Sequence, residues 1–135
     1  MQQKPTLTLD EVNHILDAAQ REAESNGWPV AISVVDDGGH PLALRRLDDC
    51  APMGSYIATE KARSAALGRK ETQAFEDMIN GGRSAFLSVP ELKGTMTGGV
   101  PIVVDGQIAG AVGVSGVKPD QDAQTAKAGV AAIDS

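Results

Sequence analysis

The stretch GGVPIVVDGQIAGAVGVSG, residues 98–116, holds six of the chain's 15 glycines and constrains the fold more than any other segment. Glycine at this density serves either a loop wrapped around phosphate or tight turns and close packing in a sheet. Local order separates the two. Val100 to Val104 reads as an apolar strand, with Pro101 near its start, where a missing amide donor is tolerated. Asp105-Gly106 is a two-residue hairpin signal, and Gln107 to Val114 is the return strand. A dinucleotide fingerprint needs G-x-G-x-x-G between a strand and a helix. Gly110, Gly113 and Gly116 lie in or just after a strand instead, and no G-x-x-x-x-G-K-[ST] loop is present. Gly110 and Gly113 therefore read as packing residues. Gly98-Gly99 is open to either reading: it precedes the strand, and its amides either serve packing or face a ligand.

The rest of the chain supplies a second hairpin and the helices to cover a sheet. TLTLDEVNHILDAAQREAESNG predicts a helix with a Thr8/Glu11 capping box, a buried stripe of Leu9, Val12, Leu16, Ala19 and Ala23, and a stop at Asn26-Gly27. Val30 to Val35, the turn Asp36-Asp37-Gly38-Gly39 and a second strand through Arg46 predict the other hairpin. In that second strand Leu42, Leu44 and Arg46 alternate with Pro41, Ala43 and Arg45, giving two unlike faces. Residues 51–71 predict a helix whose Ala58, Ala62, Ala65 and Ala66 form a small-residue stripe suited to close packing on a sheet. TQAFEDMINGG predicts a third helix, residues 83–99 an irregular segment with one helical turn, and PDQDAQTAKAGVAAI a closing helix with acids at its start. The order α–β–β–α–α–β–β–α argues an antiparallel sheet covered by helices within one domain spanning 1–135, since a doubly wound α/β fold would alternate strand and helix.

Composition narrows the partners. Net charge is −6 and aromatics are 3% of the chain, which leaves neither a basic footprint nor stacking surface for nucleic acid, nor attraction to an anionic membrane. The single Cys50 excludes an internal disulfide and fits a reducing, cytoplasmic setting. With two histidines and one cysteine, no metal-site spacing appears.

Four places carry candidate chemistry. In RRLDDC, Arg46 suits bidentate capture of a carboxylate and Asp48 suits orientation or acid–base work; the plainer alternative is an Arg–Asp ion pair with a helix cap. Lys61, beside the alanine stripe, either reaches a pocket or stays solvated. His14 lies on the polar face of the first helix with Asp10, Asp17 and Arg21, and is either solvated or a metal or haem ligand at a subunit interface. Cys50, beside Asp48 and Asp49, reads as a small structural residue because those carboxylates disfavour a thiolate.

The segments AISVVDDGGHPLALRRLDD, ATEKARSAA, GGVPIVVDGQIAGAVGVSG and DQDAQTAKAG occur in the order of the GlcG/HbpS-like family, and the chain resembles that family from about Leu7 to Ile133. The resemblance implies a profilin-like three-layer α/β/α fold with a central antiparallel sheet, and a homo-oligomer. Some family members bind haem, which makes His14 the ligand candidate here. Where many members read Arg-Met-Asp-Gly-Ala, this chain reads Arg46-Leu47-Asp48-Asp49-Cys50. Two functions follow. One is a haem- or small-ligand-binding protein, with Arg45, Arg46 or Lys61 facing propionates. The other is an enzyme, or an accessory to one, acting on a small carboxylate. There Arg46 would hold the substrate beside Gly98, Gly99 and Pro101, Asp48 or Lys61 would move the proton, and the glycine amides would stabilise negative charge. A purely structural subunit is the third alternative.

Overall fold

The computed structural model describes residues 1–133. Its elements are α1 (Leu9–Ser25), β1 (Ala31–Asp36), β2 (Pro41–Arg46), α2 (Met53–Gly68), α3 (Thr72–Asn80), β3 (Gly99–Val104), β4 (Gln107–Ser115) and α4 (Pro119–Ala131), with a short 3₁₀ turn at Ser84–Ser88. This is the α–β–β–α–α–β–β–α order expected from the sequence. The four strands form one antiparallel sheet in the order β2-β1-β4-β3, so each hairpin contributes one inner and one edge strand.

Local chemistry starts each element. The Thr8 amide donates to Glu11 Oε1 at 2.8 Å and the Glu11 amide to Thr8 Oγ1 at 3.2 Å, which closes the capping box of α1. The buried stripe of α1 begins one turn later than expected: Leu9 is exposed, Ile15 is fully buried, and Leu7 before the cap packs on the core with Val12. A staple between Leu7, which precedes the cap, and Val12, the fourth residue of the helix, explains the exchange. The β3–β4 turn has Asp105 at φ 51° and Gly106 at φ 76°, the left-handed pair of a type I′ hairpin. In the β1–β2 turn, Asp36 Oδ1 accepts from the amides of Gly38 and His40, both at 2.9 Å.

The sheet is the middle of three layers. Ile32, Val34, Val112, Val114, Val100 and Ile102 face α1 and α4, where Ile15, Leu16, Ala19 and Ala126 complete the larger core. Burying one such branched side chain stabilises the fold by about 1.5–3 kcal/mol. The opposite face is built for proximity rather than bulk. Val35 and Ala111 meet Ala62, Ala65 and Ala66 of α2, and Ala31 meets Ala58 and Cys50. Gly113 is the tightest point: a Cβ there would overlap the Ala58 carbonyl and lie 2.5 Å from the Ala62 nitrogen. The alanine stripe and the strand glycine are thus two halves of one helix–sheet contact. The profilin-like α/β/α layout holds.

Candidate functional site

Alternation along β2 sends its two arginines to opposite faces. Arg45 turns toward α1, where Nη1 donates to Asp17 at 2.8 Å and to Gln20 at 2.9 Å. Arg46 follows Leu44 onto the α2 side, is exposed, and has no ion-pair partner among the described residues. It stands on the wall between two clefts. One, of about 650 Å³, is also lined by Trp28, Glu24, Asp48 and Asp49. The other, of about 570 Å³, lies between β2 and α2. The Arg–Asp pair and helix cap considered for RRLDDC do not form: Pro52 stands at the N-cap of α2 and offers no side-chain cap, and Arg45 takes its acid from α1. Asp49 has φ 72°, a left-handed backbone that glycine adopts without penalty.

Lys61 is neither solvated nor aimed into the cleft of Arg46 and Asp48. It is 3% exposed, and its ammonium donates to the Val114 carbonyl at 3.0 Å and to Asp122 Oδ2 at 3.1 Å. Asp122 is equally buried and accepts the Val117 amide on its other oxygen at 3.2 Å. Burial pushes the Asp122 carboxyl above its usual range, against the pull of Lys61. Proton transfer by Lys61 to a ligand at Arg46 requires this buried pair to open first.

Gly98 and Gly99 sit beside that lysine. A Cβ on Gly98 would lie 2.8 Å from Lys61 Nζ, so the missing side chain makes room for the lysine stem. The Gly99 amide donates to Thr72 Oγ1 at 2.8 Å, and the Gly98 carbonyl accepts from the Val114 amide at 3.0 Å. Pro101 is half-buried in the edge strand β3, paired with Ala111. The structure therefore gathers Lys61, Gly98 and Gly99 in one interior cluster and puts Arg46 with Asp48 at the surface.

Asp122 is the residue that sequence reasoning missed. Its acid reads as a helix-start charge, yet it is the counter-ion of Lys61. A signal was present: Lys61 falls at helical spacing between Ala58 and Ala65, on the buried stripe, where a lone cation demands an acid. Cys50 is buried, and burial raises its thiol pKa despite the pull of Arg46, so it stays protonated and unreactive at neutral pH.

His14 is exposed on α1 and lines a groove of about 390 Å³ between α1 and α4. Asp17 and Arg21 share that wall, as the helical spacing predicts, and Ala128, Ala131 and Ala132 form the opposite one. Asp17 is already held by Arg45, which leaves His14 and Arg21 as the polar groups open to a ligand. Among the described residues no three His, Cys, Asp or Glu side chains cluster, and no helix is long and apolar enough to cross a membrane.

Comparison with known proteins now decides the family. The family described as "Haem degrading protein HbpS-like" matches residues 7–131. The chain belongs to the HbpS-like family. Within it, this HbpS-like chain is 56% identical over 115 residues to protein GlcG of Escherichia coli K12, covering 85% of each. A doubly substituted HbpS of Streptomyces reticuli superposes with a TM-score of 0.91 at 28% identity, over 100% of this chain and 92% of that one. The structure described as the PduOC:heme complex superposes with a TM-score of 0.87 at 27% identity, over 96% of each chain. The resemblance carried by the sequence motifs and the three-layer fold are both consistent with HbpS-like membership.

Proposed function

We propose that this HbpS-like protein binds haem as a small-ligand-binding protein, with His14 as the iron ligand. The observation that carries the reading is the exposed His14 imidazole on the wall of the α1/α4 groove, without a hydrogen-bond partner among the described residues. The donor set fits the group. A neutral imidazole ligates iron, Arg21 on the same wall suits a propionate, and the alanines of α4 offer an apolar side to the macrocycle. Bound haem would supply redox and oxygen chemistry; the protein's own part is to hold it by His14 and Arg21. The groove is shallow, so a second copy covering its open side completes the enclosure, and the protein acts as a homo-oligomer. The haem-containing structural relative and the family description support this reading. Arg45 and Lys61 are less suited to propionates than Arg21, because both are already engaged inside the protein.

Titration of hemin into the protein tests it by the Soret band. A saturable shift that is lost or altered in His14→Ala is the expected result. No saturable shift, or the same shift in His14→Ala, removes His14 as ligand.

A further inference from the structure

Arg46, which has no ion-pair partner among the described residues, stands between two clefts, and one of them suits an anion. On the Asp48 side an anion meets Glu24, Asp48 and Asp49. On the α2 side the acid among the described lining residues is Glu60, which Arg63 holds at 2.8 Å. Electrostatics thus directs an anion toward the cleft between β2 and α2.

That cleft is apolar except at Arg46, at the Arg63-bound Glu60 and along its floor. Pro41 and Leu44 form one wall and Pro52 and Tyr56 the other, with Leu44 48% and Tyr56 78% exposed. The floor hydroxyls satisfy each other: Thr59 Oγ1 lies 3.1 Å from Ser33 Oγ and 2.9 Å from the Ser55 carbonyl. A ligand's charge has Arg46 to bind and its body has proline, leucine and tyrosine to lie against. We propose that the β2/α2 cleft is a binding site for a monocarboxylate with an aromatic or branched apolar body, its carboxylate gripped by Arg46. The volume of about 570 Å³ accommodates a fused two-ring acid. The site is independent of His14, which lies on the other side of the sheet with α1 and α4.

The experiment uses naphthaleneacetate, its neutral amide naphthaleneacetamide, and acetate, each titrated into the whole protein and followed by backbone amide NMR shifts. Saturable binding of naphthaleneacetate is expected, with shifts centred on Leu44, Arg46, Ser55, Tyr56 and Thr59. Arg46→Gln weakens it by about tenfold, and the neutral amide is weaker by a similar factor. Acetate alone gives no saturation. Tyr56→Ala weakens naphthaleneacetate binding as well, while His14→Ala leaves it unchanged. Unsaturated shifts, shifts centred elsewhere, or equal affinity in Arg46→Gln overturn the proposal. So does a protein dimer that Leu44→Glu dissociates and that naphthaleneacetate does not disturb, since a second copy then fills the cleft.

Discussion

The Lys61 ammonium lies 3.1 Å from Asp122 Oδ2, and both side chains are 4% exposed. The pair ties α2, on one face of the sheet, to the first turn of α4, on the other. Removing one partner leaves a buried charge without compensation. Lys61→Met should destabilise the protein by about 3–5 kcal/mol, and Lys61→Met with Asp122→Leu should recover most of that loss. Urea unfolding of the two variants checks it; equal losses in the single and double variants contradict it.

The same carboxyl sets a pH dependence. Asp122 in the folded protein titrates above its ordinary value, so the folded state holds this proton more tightly than the unfolded chain. Its contribution favours folding below the ordinary carboxylate range and is lost as pH climbs through the raised value. Lys61→Met removes the attraction that restrains the shift, so its stability should fall more steeply with rising pH than that of the wild type. Unfolding midpoints measured from pH 4 upward show this (a range about the ordinary carboxylate value).

Glu11 shows the opposite sign. The Thr8 amide and hydroxyl lower its carboxyl below the ordinary value. Its contribution is therefore present above that ordinary value and lost as pH falls through the lowered one. Thr8→Ala should cost about 1 kcal/mol by thermal melting near neutral pH. Glu11→Gln should remove the acid-side dependence of this helix start while keeping one capping bond.

Gly113→Ala tests the helix–sheet contact. The added methyl meets the Ala58 backbone carbonyl, which cannot rotate aside, so α2 must lift from β4. A loss of about 1–3 kcal/mol or more is expected. Gly27→Ala, where nothing lies within 4 Å, should cost only the left-handed backbone penalty of about 1–2 kcal/mol.

Asp49→Gly tests the turn after β2. The residue holds φ 72°, so glycine relieves strain while Asp49→Ala retains it. Glycine should be about as stable as the wild type or better, and alanine less stable than glycine by about 1 kcal/mol. An alanine variant as stable as the glycine one contradicts the strain.

What could be read from the chain was local or periodic. Thr8 and Glu11, Asp105-Gly106 and the stripe of Ala58, Ala62, Ala65 and Ala66 each declare their role within one turn of helix or hairpin, and each is found where expected. Pairings between distant segments were not legible. Nothing near Lys61 names Asp122, because their meeting depends on β4 passing between α2 and α4. The alternation of β2 gave two faces but not which helix each would meet, so nothing in the sequence showed that Asp17 and Gln20 would claim Arg45 and leave Arg46 exposed. Gly98 and Gly99 read as open amides because the sequence does not reveal that Thr72 and the stem of Lys61 occupy the space beside them.

The strand order has a kinetic consequence. Each hairpin closes through a short turn, β1 with β2 and β3 with β4, but the sheet is joined only where Ala31–Asp36 meets Gly110–Ser115. That seam pairs residues from opposite halves of the chain, with α2 and α3 intervening, so closing it carries more loop entropy than closing either hairpin. Pairing over such a separation slows folding more than closing a short turn does. Until it closes, the inner edges of both hairpins are open to pairing with other chains, and it is in that interval that the protein is most exposed to aggregation.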